Sequence, residues 1–375
     1  MSNIIFYLLA IALILSSCAK KTANSTSEVV ILTREEIPPL QYVEAEQIEL
    51  TAEKFLCSKF YVYQDTILLA INYDIPNPTF LTMMNLKTGE DLAHYYPQGQ
   101  GPDEMLSIAG FLDMNYLVVR DFPTRRLSLL NVDSAIIQRE KYKPAIFSFK
   151  NDNYWYLYCM LTDSTMMVYN RNYAENAGEY NTNEVTTEFF ISDLYGNHED
   201  VFVPDTILNY TFTGGYIKAS QKRRRVFCAY SRFPKYRIID YDRNVIKTIY
   251  GPDEFENIKI ICSDGLNVAV DGCHIYNSAI AANEDYVLVF NSRCINQPAW
   301  EDIFNVNEYN NALEEMEIEN GELYKFDWDG NLLNRYKVKG TGVYSITFSE
   351  QDPKLIYFTG YNEDRELCLF KTRLP

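Results

Sequence analysis

Two copies of one short acidic sequence are the first residues with chemistry to offer. Gly101-Pro102-Asp103-Glu104 is followed by Met105, and 150 residues later Gly251-Pro252-Asp253-Glu254 is followed by Phe255. If a fold brings Asp103, Glu104, Asp253 and Glu254 to one mouth, their carboxylates can chelate a cation or grip a polar ligand. The same residue types also build a tight turn unaided. Glycine permits the crossing, proline fixes φ, and a carboxylate accepts backbone N–H bonds. Turn chemistry accounts for all four residue types, so it is the favoured reading. Lys222-Arg223-Arg224-Arg225 is the one basic run. Arg223 and Arg224 could hold a phosphate, a sulfate or a uronic acid. A run of this kind more often caps a solvated turn, here before a strand over Val226–Tyr230.

Other chemistries find less support. Asp327-Trp328-Asp329-Gly330-Asn331 starts like a calcium loop, but Leu332 stands where the loop needs glycine and Val338 where it needs a bidentate acid. A hairpin with Gly330 in the left-handed region fits better. His94, His198 and His274 are far apart, and Cys262 and Cys273 lack C-x-x-C spacing, so no metal or cofactor is expected. No G-x-S-x-G elbow is present. Tyr154-Trp155-Tyr156-Leu157-Tyr158 could stack sugar rings, yet alternation also puts the three tyrosines on one packed strand face. Among so many acids, a pair doing glycosidase-like acid–base work cannot be told from surface carboxylates.

Cys18 carries the clearest covalent chemistry. Ile4 to Leu15 is an unbroken apolar run. As a helix it would reach about 18 Å, short of the roughly 30 Å hydrocarbon layer, which fits the core of a signal peptide. Leu15-Ser16-Ser17-Cys18 resembles the bacterial lipobox, in which small residues admit the chain to a protease and the cysteine thiol takes the lipid. No Lys or Arg precedes the apolar run, so the α-amino group alone is positive there. Residues 1–17 are expected to be a removable signal, residues 18–27 a lipidated, flexible tether, and residues 28–375 the folded body. Lys20 and Lys21 follow the cysteine where acidic residues often mark surface export, so the periplasmic face is preferred.

The body must be built from elements that present such residues on loops. The chain is 47% hydrophobic and has 30 Tyr and 21 Phe, which favours strands. Its net charge of −17 repels phosphate backbones, so nucleic acid is not an expected partner. Seven cysteines besides Cys18 are scattered without a framework and read mostly as small buried hydrophobes. Four compact apolar segments each follow a polar turn: Thr66–Ile71, Tyr116–Val119, Tyr286–Phe290 and Lys354–Phe358. An alternating strand ending in a turn follows, as in Phe80–Leu86, Arg126–Leu130 and Leu323–Trp328; Arg237–Tyr241 has the same form. Such pairs read as middle and outer strands of four-stranded blades. Between the two acidic copies lie three blade-like units, near 111–147, 150–190 and 211–249. Three more lie outside, near 262–339, 342–374 and 52–96. The expected fold is all-β, a six-bladed propeller of four-stranded antiparallel blades, with the copies on opposite sides of the ring. Glu28–Leu50 could supply the strand that closes it. Glu308–Glu322 is acidic and helix-favouring, and reads as an insertion in the fifth blade.

With its upstream glycine the first copy, Gly99-Gln100-Gly101-Pro102-Asp103-Glu104, resembles the G-x-G-P-x-E element of the six-bladed TolB-like propeller lipoproteins of Bacteroidetes. The second copy has Ile249-Tyr250 in place of the first glycine pair. The resemblance implies a shape and a cell-envelope address rather than a reaction. The expected role is a binding or scaffolding module for a protein, peptide or glycan, touching the membrane only through its lipid. The competing class is an enzyme, a lyase or hydrolase of a glycan or lactone, with acids and a metal in the channel. Converging Asp, Glu, Asn or His side chains would favour the enzyme, and a lining of backbone, Tyr and Ser the binding module.

Overall fold

The computed structural model describes residues 27–50, 57–72, 78–121, 123–148, 155–171, 185–195, 197, 206–207, 215–230, 234–252, 259–263, 268–271, 277–292, 321–362 and 366–375. Three short strands come first, β1 (Glu28–Ile31), β2 (Leu40–Val43) and β3 (Glu46–Ile48). Blade 1 follows as β4 (Cys57–Tyr63), β5 (Ile67–Asn72), β6 (Thr79–Asn85) and β7 (Asp91–Pro97). Blade 2 is β8 (Ala109–Asp113), β9 (Tyr116–Asp121), β10 (Arg126–Asn131) and β11 (Ala145–Ser148). Blade 3 is β12 (Trp155–Met160), β13 (Thr165–Arg171), β14 (Val185–Asp193) and β15 (Thr206–Ile207). Blade 4 is β16 (Gly215–Ser220), β17 (Arg225–Tyr230), β18 (Lys235–Asp240) and β19 (Val245–Tyr250). A separate ribbon, β20 (Lys259–Ser263) with β21 (Val268–Asp271), precedes blade 5. Blade 5 is β22 (Asn277–Ala282), β23 (Tyr286–Asn291), β24 (Glu322–Asp327) and β25 (Leu332–Val338). Blade 6 is β26 (Ser345–Phe348), β27 (Leu355–Tyr361) and β28 (Leu367–Arg373), completed by β3.

The six blades form because their middle strands are apolar on both faces. In β17, Val226, Cys228 and Tyr230 pack with residues of blade 3, while Phe227 and Ala229 pack with residues of blade 5. Alternation thus sends one strand's side chains into two interfaces. Among the described residues an apolar cluster fills each of the six junctions between neighbouring blades, including blade 6 against blade 1 through Phe60, Leu68, Tyr357 and Leu369. Cys159 and Cys228 are free and buried in one of them.

The N-terminal segment closes the ring. β3 pairs antiparallel with β28 and supplies the missing rim strand of blade 6. Before that, β1 lies parallel to β19 and β2 parallel to β25, each a fifth strand outside its blade. The segment therefore belts the outside of blades 4, 5 and 6. At Gly251 (φ +102) the belt passes so close that an added Cβ would sit 2.2 Å from the Leu32 carbonyl oxygen.

Two details differ from the sequence reading. The alternating segments Phe80–Leu86, Arg126–Leu130, Arg237–Tyr241 and Leu323–Trp328 fall on the third strands of their blades, not the rim. Third strands are covered on both faces and so carry the stronger apolar pattern, whereas rim strands such as β11, exposed at Ala145 and Ser148, face solvent. The stretch after β10 is not a plain turn. Asn131 Oδ1 accepts the Ser134 N–H at 2.8 Å and caps a short helix, α1 (Val132–Gln138), which buries Val132 and Ala135.

Candidate ligand-binding channel

The first strand of every blade faces the axis, and the space between them is a channel with two chambers. The inner chamber, about 170 Å³, is lined from all six blades. It begins where the first strands begin. The outer chamber, about 550 Å³, lies where those strands end in hairpins, and the two share Leu112, Lys218 and Ile346. Space at the axis comes from small residues, Ala109, Gly110 and Ala279. Gly110 is closely held: a Cβ there would meet Ile71 Cδ1 at 3.1 Å, and its carbonyl accepts the Tyr61 hydroxyl at 3.2 Å. Phe111 packs on Tyr158 with ring centroids 5.0 Å apart.

Charge is sorted along this channel. Lys59, Arg120 and Lys218 line the inner chamber together with Tyr61, Tyr158, Tyr216 and Tyr344, and no Asp, Glu or His is among its described lining residues. Lys59 and Arg120 come from adjacent blades, near the start of β4 and the end of β9. Burial pushes the Lys59 ammonium pKa down. Burial pushes the Tyr158 hydroxyl up, and the nearby Arg120 guanidinium pulls it the other way. Lys218 of blade 4 reaches across to blade 2, donating to the Leu112 carbonyl at 2.6 Å and standing 3.4 Å from Asp113 Oδ1. It also lies 5.0 Å from the Phe111 ring centroid. Asp113 Oδ2 in turn accepts the Met160 N–H of blade 3 at 2.8 Å. One buried ion pair thus ties three blades at the waist of the channel.

The outer chamber is acidic. Asp113, Glu284, Asp285 and Glu350 line it. Burial raises the Glu350 carboxyl pKa, with help from nearby Asp65 and Asp133. Asp65 Oδ2 accepts from the Ser349 hydroxyl at 2.9 Å and the Gln351 N–H at 3.2 Å.

The residues singled out in sequence lie elsewhere. Glu104 folds back inside its own turn: Oε2 accepts the Gly101 N–H at 2.7 Å, and a Cβ on Gly99 would stand 2.1 Å from that oxygen. Arg126 clasps the same turn through the carbonyls of Gly101 (2.9 Å) and Glu104 (3.0 Å). Asp103 is exposed, 4.0 Å from Lys143, beside a surface recess with His94, Tyr95 and Tyr142. The two copies do follow blades 1 and 4, opposite positions in a ring of six. Asp253 and Glu254 lie outside the described residues, as do Cys18 and residues 308–320. The basic run forms the β16–β17 hairpin, where it meets acids: Lys222 pairs with Glu284 at 2.5 Å, Arg223 with Asp285 at 3.6 Å and Arg224 with Asp242 at 3.6 Å. Two of these pairs bridge blades 4 and 5. The channel cations were missed because each stands alone in its strand. Their signal is a charge inside an apolar run, as in Tyr116-Leu117-Val118-Val119-Arg120.

Comparison with known proteins agrees with this architecture. The sequence profile described as "TolB-like 6-blade propeller-like" matches residues 33–351. The chain superposes on a Bacteroides fragilis protein that carries the description "Putative exported protein", with TM-score 0.52 and 12% identity, covering 93% of this chain and 99% of that one. It superposes equally, at TM-score 0.52 and 11% identity, on a DUF4221 family member from Bacteroides vulgatus, covering 89% and 96%. No protein of curated function matches the sequence. A profile match across most of the length, on a ring with six filled inter-blade junctions, decides the family: the chain belongs to the TolB-like six-bladed propellers.

Proposed function

We propose that this protein is a binding module of the bacterial cell envelope, lipid-anchored through Cys18 on the periplasmic face, which takes its ligand into the channel. One observation carries the binding role. The inner chamber offers tyrosine rings, small aliphatic surface and cations, without an acid–base pair among its described residues. Lyase or hydrolase chemistry would use converging acids there. Asp113, the carboxylate at the waist, is already engaged by Met160 and Lys218. The envelope address is supported by the Leu15-Ser16-Ser17-Cys18 sequence and by the structural likeness to a Bacteroides protein described as exported. A protein, peptide or glycan larger than the channel would insert one group and lie across the loops.

Two experiments test the two halves. Cys18→Ser should abolish incorporation of labelled fatty acid and release the body from the membrane fraction; membrane retention after normal cleavage would overturn the anchor. For the channel, envelope-derived peptides, glycans and small metabolites would be screened for binding to the native protein and to Ala279→Trp, which fills the inner chamber. Binding lost on filling supports the module. Chemical turnover of a bound ligand, abolished by Glu350→Gln or Asp113→Asn, would replace it with the enzyme reading.

A further inference from the structure

The Gly99–Glu104 turn contains one side chain that its own architecture does not use. Glu104 closes the turn on the Gly101 N–H, Gly99 leaves room for that carboxylate, and Arg126 holds the carbonyls of Gly101 and Glu104. The Asp103 carboxylate stands outside this set. It is exposed and lines a recess of about 510 Å³ between the rims of blades 1 and 2. We infer that this recess is a second binding site, separate from the channel, and that its ligand is a neutral saccharide.

The recess is built into the fold. One side is β7, and the other is the segment that leads from α1 into β11. Tyr95 of β7 donates to the Arg139 carbonyl at 2.8 Å and meets the Tyr142 ring edge-on at 6.4 Å, which fixes the two sides against each other. Tyr96 holds a φ of +60 although it is bulky and precedes a proline, a conformation that costs free energy. Its ring is buried and its hydroxyl meets Ser128 Oγ of blade 2 at 3.0 Å, so the surrounding structure enforces the kink. Backbone held in this way collects at sites of function. Here the distorted step, Tyr96-Pro97, is part of the recess wall.

The lining separates the ligand classes. An extended peptide is held mainly through its main chain, which needs free backbone groups along an edge. Pro78, Pro97 and Pro144 have no N–H to give, and the His94 N–H is taken by Glu140 Oε1 at 2.9 Å. The β7 rim is therefore closed to an added strand at that point. Two carboxylates, Asp103 and Glu140, face the Lys143 ammonium, so an anion gains little. All three are exposed, and charges so placed hold a cation weakly too. What remains is an apolar floor of proline and tyrosine under a rim of side-chain donors and acceptors. Asp103 and the second oxygen of Glu140 can accept hydroxyl protons, and Lys143 can donate. Tyr142 can donate as well, because its oxygen accepts the Asn131 N–H at 3.2 Å and keeps its own proton. A sugar ring has the matching division, hydroxyls around its edge and C–H groups on its face. One benzene ring occupies a cavity of roughly 150 Å³, so the recess has room for about two sugar rings.

The test is calorimetric titration of the full mature chain with maltotriose, cellotriose, mannotriose and N,N′-diacetylchitobiose, against digalacturonate and a decaproline peptide. At least one neutral saccharide should bind with a Kd of about 1 mM or tighter, and digalacturonate and decaproline should not bind. Asp103→Leu and Lys143→Leu should each weaken that binding about fivefold or more, and Tyr142→Ala about tenfold or more. The first two side chains are more than two-thirds exposed, so their variants decide the matter even where loss of Tyr142 unfolds the chain. No binding by any of the neutral saccharides overturns the site. So does saccharide binding that survives Asp103→Leu and Lys143→Leu unchanged, or a preference for digalacturonate or decaproline. Saccharide binding lost in Ala279→Trp but kept in the rim variants moves the sugar to the channel, which overturns this site and supports the module reading. Loss in the rim variants alone supports this site, whatever the channel binds.

Discussion

Glu104 shows how one side chain decides the shape of a blade crossing. Its carboxylate occupies the space that a Cβ on Gly99 would need, and the Gly101 N–H points at it. Glu104→Ala should cost about 1–2 kcal/mol, the loss of a charge-assisted bond to backbone. Gly99→Ala should cost more than that in the native protein and less in the Glu104→Ala background; denaturant melts of the four proteins measure this coupling. The Asp113–Lys218 pair is a harsher case. Asp113→Ala strands the Lys218 ammonium and the Met160 N–H together and should cost about 3 kcal/mol or more, while Asp113→Asn with Lys218→Met should recover much of it. Turn residues such as Gly101 and Glu104 were legible in sequence because their types alone imply a tight turn. Lys59, Arg120 and Lys218 were not, because what unites them is the ring, and they stand 61 and 98 residues apart along the chain.

At the level of elements, one device recurs where third strands end. Asp193, Asp240 and Asp327 each accept the backbone N–H of an Asn four residues on, at 2.9, 2.8 and 2.8 Å. Asn197, Asn244 and Asn331 then return a side-chain bond to the same carboxylate. Asp327-Trp328-Asp329-Gly330-Asn331 is thus a hairpin of blade 5, with Gly330 at φ +79, and Trp328 buried behind it donates to the Asn283 carbonyl at 2.9 Å. Asp240→Ala and Asp327→Ala should each lower stability by about 1 kcal/mol, with Asn at the same position retaining most of it, as thermal melts would show. The spacing D-x-x-x-N was visible in the sequence at all three places, but similarity confined to two residues per blade is hidden by the unlike residues between. Strand existence was easier to read than strand rank. Second and third strands announce themselves by apolar runs. Rim strands borrow half their surroundings from solvent, and β15 has only two residues.

For the molecule as a whole, the count of six followed from two acidic turns 150 residues apart with three units on each side, while the unit 150–190 stopped inside β14 and missed β15 and the unit drawn from residue 262 was too long. The paired strands β20 and β21 form their own ribbon there. Closure rests on the N-terminal belt. Removing residues 28–48 takes the rim from blade 6 and the outer strands from blades 4 and 5. It should lower the melting temperature and broaden the transition, because the junction between blades 6 and 1 is filled partly by Ile48. Alkali attacks the same junctions by another route. Burial raises the hydroxyl pKa values of Tyr96 and Tyr158 well above the usual range, and that of Tyr357 to about 12. A folded pKa above the unfolded value of 10.0 means that the folded state holds its proton longer. Stability from these groups is therefore complete below about pH 10 and falls as pH climbs toward the folded values. Phenolate absorbance should rise together with loss of the circular dichroism of the sheets.

The belt also dictates an order of events. β1, β2 and β3 are the first strands to be synthesised, yet their partners β19, β25 and β28 lie in the later part of the chain, the last ending at Arg373. Early blades can gather as they emerge, but the circle has no way to shut until β28 is free to pair with β3. For the export proposed above, this means that a thread still crossing a membrane is held short of its finished form by connectivity alone, and locks only after arrival.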